Sequence, residues 1–332
     1  MPCPKAEYSR REKHQTSSAN AAMQEHSRLL KRQVDHHVLC QESLLTGSFL
    51  GLDAQRRQQA LVMAEPEFKK TSLNTVNRYR NRGVYDYKTV HDVIDKSPLL
   101  HISFSPSPSG SESSGDGESR YPVILPMMGC TGEFHNHGHD SAHQEPRDIY
   151  LHGYITSRLM RLASTYESHA PENGMPVCVA ATLLDGVVLA LTPNHHSCNY
   201  RSVVVYGRAH VVTDEAERKW AMELIMDNMV PGRWAATRYP SEAEQRRTGI
   251  LRVEIDSASA KVRAGTTGED RADLKDEEMR RRVWAGVVPA YLVWGEPVPA
   301  PTNLMEPTPR YIEEWRTRET REAEKYAHAA AK

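Results

Sequence analysis

The sequence predicts a mainly β protein in which antiparallel strands, accompanied by short helices, close into a barrel. Six or seven β-rich segments follow one another between residues 99 and 294, and only three or four short helical patterns separate them. Strands that follow each other without crossover helices pair antiparallel, which argues against a doubly wound α/β fold. Closure into a barrel would also remove the unpaired edges of such a sheet.

Alternating or β-branched composition predicts strands at residues 99–104, 121–128, 149–154, 201–212, 251–255 and 287–294. Pro122 and Pro126 restrict their strand to an edge or a bulge, because proline cannot donate to a sheet ladder. Two further β-rich runs, 177–184 and 187–191, flank the dipeptide Asp185-Gly186. This dipeptide is favoured in a type I′ turn, so these runs are predicted to form a hairpin.

Apolar residues at helical spacing predict the helices. One covers residues 87–97. A second follows the strand 149–154, with Thr156 or Ser157 as its cap and with one face formed by Leu159, Leu162, Ala163 and Tyr166. A third begins at residues 213–214, where Glu217 is placed to complete a capping box.

The chain is predicted to contain three regions. Residues 1–70 are polar and form an extension that is mobile or partly helical, and residues 71–300 form the barrel domain. Residues 301–332 end in a charged helix over 311–330. Two inserts lengthen loops of the barrel, a Ser/Gly/Pro-rich segment at 105–119 that is predicted to be disordered and a His/Gly-rich segment at 130–147.

Composition excludes several classes of protein. The formal net charge of −1 provides no excess of basic residues for a general nucleic-acid binder. Five scattered cysteines indicate neither a disulfide framework nor a zinc ribbon. No uncharged apolar stretch is long enough to span a membrane, so we expect a soluble, cytoplasmic protein. The motifs typical of Rossmann dehydrogenases, P-loop NTPases, α/β-hydrolases and zincins are absent from the sequence.

Three constellations of polar residues are candidates for chemistry. The histidine-rich residues 135–143 have the donor types of a metal site, but flexible neighbours favour an exposed loop, and no metal is predicted. Residues 195–202 combine imidazoles, a thiol, Arg201 and Ser202, which suits anion recognition better than covalent catalysis; a plain turn is the alternative. Residues 156–158 open a helix with two hydroxyls and an arginine, which is typical of an anion site or of an ordinary cap.

Five segments carry a resemblance to a known superfamily. They are residues 74–83, 121–127, 148–153, 199–209 and 284–290, which read NTVNRYRNRG, YPVILPM, DIYLHG, NYRSVVVYGRA and WAGVVPA. In this order they resemble the FMN-binding split β-barrel superfamily, in the branch of pyridoxamine 5′-phosphate oxidase and the 5-nitroimidazole-resistance flavoproteins. The sequences of these segments are similar to those of fungal members of that branch.

The resemblance implies a six-stranded Greek-key barrel that forms a homodimer, with one FMN in each cleft between the subunits. The cofactor-site residues that it implies are Leu125, Pro126, Met127, His152, Thr156, Ser157, Arg158, Arg201, Ser202 and Trp284. The first three would lie along the isoalloxazine ring. His152 would lie near the flavin and act in catalysis, residues 156–158 would receive the phosphate with Arg201 and Ser202 close by, and Trp284 would form an aromatic wall from the partner.

The resemblance implies an FMN-dependent oxidoreductase that takes a hydride from a reduced nicotinamide cofactor and reduces a small organic substrate. The paired residues that hold substrate phosphate in pyridoxamine 5′-phosphate oxidases are not found near residues 281–284, which argues against vitamin B6 synthesis. Two alternatives remain at this point. One is a non-catalytic module that binds flavin or haem, and the other is an interaction protein without a cofactor.

Overall fold

The computed structural model describes residues 66–106, 121–135, 146–169 and 172–332. The predicted N-terminal extension therefore lies almost entirely outside the described residues, as do most of the predicted disordered loop and of the histidine-rich segment. Residues 65–332 form one compact unit, which includes the C-terminal helix. Within the described part of the chain, no helix is both long enough and apolar enough to cross a membrane.

The described residues form nine strands and six α-helices, with 3-10 turns at Arg80–Arg82, Pro193–His195 and Asp273–Lys275. The strands are β1 (Gly83–Val84), β2 (Leu100–Phe104), β3 (Val123–Met127), β4 (Gly129–Gly132), β5 (Asp148–Tyr154), β6 (Met175–Leu189), β7 (Ser197–Val211), β8 (Thr248–Arg263) and β9 (Gly286–Pro289). The helices are α1 (Tyr87–Lys96), α2 (Arg158–His169), α3 (Glu215–Met229), α4 (Glu242–Arg247), α5 (Glu277–Arg282) and α6 (Arg310–Ala330).

All pairs of strands are antiparallel, in the order β3-β2-β6-β7-β8-β5-β4, while β1 joins β8 and β9 joins β6. The mainly β, split-barrel prediction is confirmed, although the sheet has more strands than the six expected. β3 and β4 are the two ends of this order, yet only Met128 lies between them in the chain. The sheet must therefore curl until its ends meet, and the barrel stays split because β3 and β4 do not pair with each other among the described strands.

Two apolar clusters hold the barrel together. The larger fills the inside of the sheet and is covered by α1 and α2; its members include Val93, Ile94, Ile102, Leu151, Leu159, Val179, Val205, Leu251 and Ala258. The smaller joins α3 to the outer face of β5 and β8 through Cys130, Tyr150, Ala221, Ile225 and Ile250. Both faces of β5 are therefore buried, and this strand is rigidly placed.

The predicted hairpin at Asp185-Gly186 is wrong, because β6 continues through this dipeptide and contains only a register shift there. Asp185 is 2% exposed and forms an ion pair with Arg201 of the neighbouring strand. Gly186 permits the close approach of β9, since a Cβ at this position would lie 3.0 Å from the carbonyl oxygen of Val288. The chain reverses later, at the 3-10 turn Pro193–His195.

Four further expectations needed correction. The strand predicted at 251–255 is part of a sixteen-residue strand, and that predicted at 287–294 ends at Pro289. β4 lies within the insert that was expected to be only a loop. Asp214 caps α3 as predicted, but the carboxylate of Glu217 accepts a 2.7 Å hydrogen bond from the Tyr150 hydroxyl, which ties α3 to β5.

Candidate functional site

The ends of β3 and β5 form a corner that we treat as the candidate site, defined by Leu125, Pro126, Met127, His152 and residues 156–158. β3 pairs only with β2, so its other edge presents free backbone groups among the described strands. Leu125 and Met127 point towards the core and Pro126 is exposed. The predicted edge position of this proline-containing strand is thus confirmed.

The packing of Gly153 brings the two strands together at this corner. A Cβ at this position would lie 3.1 Å from Cε of Met127 and 3.3 Å from Cε of Met160. The absence of a side chain at Gly153 therefore lets the end of β3 approach β5. His152, the preceding residue, pairs with Ile250 of β8 and is half-buried.

Burial lowers the pKa of His152 below its usual value of 6.5. Desolvation disfavours the imidazolium, so the ring is neutral at pH 7. A neutral imidazole donates through one ring nitrogen and accepts through the other, and it can also bind a metal. His152 is therefore suited to hydrogen bonding with a ring system rather than to supplying a positive charge.

Residues 156–158 form the end of the turn after β5 and the first residue of α2. The amide of Ser157 donates a 2.8 Å hydrogen bond to the carbonyl of Tyr154, and the Ser157 hydroxyl accepts a long, 3.4 Å bond from the amide of Met160. Ser157 therefore caps α2, and it is one of the two residues predicted for this role. Thr156 and Arg158 are exposed, and Arg158 forms no ion pair within the described residues. Free amides, hydroxyls and an uncompensated guanidinium fit an anion such as a phosphate.

Arg201 and Ser202 do not join this corner within one chain. Arg201 donates to both carboxylate oxygens of Asp185, at 3.0 and 2.6 Å, and lies 3.6 Å above the ring of Tyr326 from α6. Ser202 donates to the carbonyl of Lys261. Their predicted role in phosphate binding stays a prediction, and the structure gives Arg201 a different set of partners.

Trp284 also lies away from the corner, beside β9. It is 64% exposed, and its ring covers Gly286. Val187 and Val288 pair across β6 and β9 and are exposed as well, so the three side chains form an apolar surface that we call the β9 patch. The predicted wall from a second subunit would require this patch to face another copy of the chain.

Sequence analysis missed the partners of Arg201, Asp185 and Tyr326. Asp185 was assigned to a turn, and the charged composition of 311–330 hid the role of Tyr326. No local motif could have found these contacts, because Tyr326 lies far from Arg201 in the chain.

A small cavity of about 80 Å³ beside the start of β8, lined in part by Trp234 and Tyr239, is well below the size of a typical cofactor pocket.

Comparison with known proteins gives a consistent result. The family model described as pyridoxamine 5′-phosphate oxidase matches residues 86–262, more than half of the chain. The structure is similar to the flavocytochrome Anf3 from Azotobacter vinelandii, with 27% identity, a TM-score of 0.58, and coverage of 76% of this chain and 99% of that one. No curated protein matches the sequence.

A second solved structure is similar over nearly its whole length. It is the FAD and haem binding protein from Mycobacterium smegmatis, with 25% identity, a TM-score of 0.54, and coverage of 71% of this chain and 97% of that one. A 5-nitroimidazole antibiotic resistance protein from Bacteroides thetaiotaomicron is more distant, with 16% identity, a TM-score of 0.36, and coverage of 54% and 86%.

Proposed function

The chain belongs to the pyridoxamine 5′-phosphate oxidase family, and from this premise we propose that it is a flavin-dependent oxidoreductase whose cofactor occupies the corner between β3 and β5. The observation that carries the proposal is that an unpaired strand edge, a neutral histidine and an exposed arginine lie at the adjoining ends of β3, β5 and α2. These are the groups that an aromatic, phosphorylated cofactor requires.

The chemical groups that the corner offers are of the types that bind a flavin. Along Leu125, Pro126 and Met127, alternate residues of β3 direct backbone groups to the free edge, where they would face the polar rim of the isoalloxazine ring, and Pro126 can offer only its carbonyl. Thr156, Ser157 and Arg158 supply hydroxyls and a positive charge for the phosphate that FMN and FAD share. The recognition of that shared phosphate does not choose between the two cofactors, so we propose FMN and let the released chromophore test it.

We further propose that the chain functions as a homodimer in the cytoplasm. The corner is open to solvent, and the β9 patch carries Trp284, Val187 and Val288 on the surface. Burial of such a patch against a second copy would remove apolar area from water and would bring Trp284 to a cofactor of the partner. Measurement of the mass in solution by light scattering checks this proposal, and a monomer at micromolar concentration contradicts it.

When bound, the flavin would supply hydride transfer between a reduced nicotinamide cofactor and a small organic substrate. The chain would orient the ring along β3 and hold the phosphate at α2. His152, neutral at pH 7, would donate a hydrogen bond to the ring or to the acceptor beside it. The partial burial of His152 would limit the access of water to that hydrogen bond.

The visible absorption spectrum of the purified protein tests the proposal, followed by heat release of the chromophore and its identification by mass. Flavin bands and released FMN are the expected result, and release of FAD would keep the flavin but replace the mononucleotide. Oxidation of NADH or NADPH then tests catalysis. A colourless protein that binds neither FMN nor FAD would overturn the proposal and favour an interaction protein without a cofactor.

Haem binding, alone or beside a flavin, is the second candidate function. The two structures with the higher identity are described as a flavocytochrome and as an FAD and haem binding protein. The chain has 16 histidines, and His152 is a neutral imidazole of the kind that ligates haem iron. A Soret band that is shifted and sharpened relative to that of free hemin, and that loses this shift in His152→Ala, would support this function; a spectrum identical to that of free hemin would exclude it.

A further inference from the structure

A second cluster of chemically active side chains lies at the β6–β7 reversal. It consists of His195, in the 3-10 turn there, and Glu269 and Asp273, in the segment that follows β8. The amide of Leu191 donates a 3.1 Å hydrogen bond to Oε1 of Glu269, which fixes the two segments to each other. From this cluster we infer that the protein has a binding site for a divalent transition-metal cation, with Zn²⁺ as the best match.

The three side chains offer ligand atoms in one small volume. One nitrogen and two carboxylate oxygens all lie within 4.8 Å of one another, and Nδ1 of His195 is 3.9 Å from Oε2 of Glu269. Ligands of a tetrahedral Zn²⁺ at about 2.0–2.2 Å from the metal are roughly 3.3 Å apart. A rotamer adjustment of about an ångström would therefore complete the site, with the fourth position left for water or a ligand.

Two of these atoms have no hydrogen-bond partner within the described residues. They are Nδ1 of His195 and Oε2 of Glu269, and both are buried. The Glu269 side chain is 6% exposed, so its free oxygen is turned away from solvent and towards the imidazole. At 3.9 Å the two atoms are too far apart for a hydrogen bond with each other. A buried carboxylate oxygen left in this state needs a cation, and the gap between the two atoms is where a metal ion would lie.

The surroundings of His195 favour a dication. Asp270 brings a third carboxylate, with Oδ2 at 3.9 Å from Nε2 of the same ring. A dication bound to the imidazole would be attracted by the carboxylates of Glu269 and Asp273, which offer oxygens in the same small volume. A carboxylate facing the second nitrogen of a ligating histidine is also the usual arrangement that orients the ring towards a metal. Mixed imidazole and carboxylate donors are typical of Zn²⁺ sites.

The experiment is a calorimetric titration of Zn²⁺ into the full chain, purified with its own cofactor and cleared of metal by a chelator. His195→Ala removes the nitrogen ligand, and Glu269→Gln removes the free charge while its amide oxygen still accepts from the Leu191 amide. His196→Ala is the matched control, because the ring of that neighbouring exposed histidine bonds, among the described residues, only to the carbonyl of Thr192. We expect one Zn²⁺ site per chain and a loss of affinity of at least about tenfold in the first two variants only.

Thermal unfolding in the presence of Zn²⁺ provides a second readout. Since a metal that binds only the folded state raises Tm, Zn²⁺ should raise the Tm of the wild type and of His196→Ala, but not of His195→Ala or Glu269→Gln. Weak binding that is shared equally by all four proteins belongs to other surface histidines and overturns the inference. An equal loss in His196→Ala and His195→Ala overturns it as well, because His196 does not face the cluster.

Discussion

Two arginines that were predicted to bind the same phosphate have opposite surroundings in this protein. Arg158 is exposed at the start of α2 and has no ion pair within the described residues. Arg201 is held by two hydrogen bonds to Asp185 and by the ring of Tyr326. The difference teaches that a guanidinium is available to a ligand only where the fold has left its charge uncompensated, which the residue type does not reveal.

The polar groups around the two arginines differ in the same respect, because, among the described residues, those near Arg201 are paired and those at the corner are free. Near Arg201, Asn199 is fully buried and donates to the carbonyls of Gly265 and Ala330, while Arg263 donates to its side-chain oxygen. These bonds attach the end of α6 to the barrel, and we call this region the sealed end. The corner at β3 and β5 instead retains free amides, hydroxyls and an unpaired strand edge. The sealed end therefore serves stability, and the corner is the place for a ligand.

The largest expected effect is on stability at the sealed end. Arg201→Ala would leave Asp185, whose side chain is 3% exposed, without its counter-ion. Removal of one partner of a buried pair typically lowers the free energy of unfolding by about 3–5 kcal/mol. Urea unfolding measures this loss. The control is Arg208→Ala on the same strand, where both partners in the pair with Asp256 are exposed and about 1 kcal/mol or less is expected; equal losses would show that the pair is not the cause.

The next effect is on binding at the corner. Arg158→Ala would remove a charge-assisted contact to phosphate worth about 1.5–3 kcal/mol, so the Kd for FMN should rise roughly ten- to hundredfold. Quenching of flavin fluorescence measures this Kd, and the free energy of unfolding of the apoprotein should change little. Arg161→Ala, one helical turn further along the exposed side of α2, is the control. Unchanged flavin affinity in Arg158→Ala would remove this helix start from the cofactor site.

A smaller loss is expected at the contact between Arg201 and α6. Tyr326→Leu keeps an apolar side chain but removes the ring that lies below the guanidinium. A cation–π contact of this kind contributes about 1 kcal/mol to the free energy of unfolding. The same variant in an Arg201→Ala background should have almost no further effect, and full additivity of the two substitutions would contradict a direct contact.

The smallest effect concerns pH at the corner. Burial holds the pKa of His152 below 6.5, so the unfolded chain takes up a proton first as the pH falls through about 6.5. Where the unfolded state binds more protons, stability decreases as the pH decreases. The wild type should therefore lose more free energy of unfolding between pH 7.5 and 5.5 than His152→Gln does. Equal losses in both proteins would mean that His152 is not desolvated in the folded state.

Local pattern predicted those elements whose residues and neighbours are close in the sequence. The periodicity of 87–97, the cap at Asp214 and the proline-marked edge of β3 were all predicted correctly, because helix capping and the missing amide of proline act within a few residues. Asp185-Gly186 shows where this reasoning stops. The dipeptide suits a turn, but the ion pair to Arg201 and the close approach of β9 keep the strand continuous through it.

The antiparallel β class and most of the elements follow from residue types and short spacings, and the family from the resemblance of five ordered segments. Only the tertiary structure decided which of these residues carry a free charge. It paired Arg201 with Asp185 and Tyr326, left Arg158 exposed, and brought His195 beside Glu269 and Asp273. Electrostatic compensation and desolvation depend on which residues are neighbours in space. The register of long strands decides these neighbours, and they lie too far apart along the chain for a local pattern to reveal them.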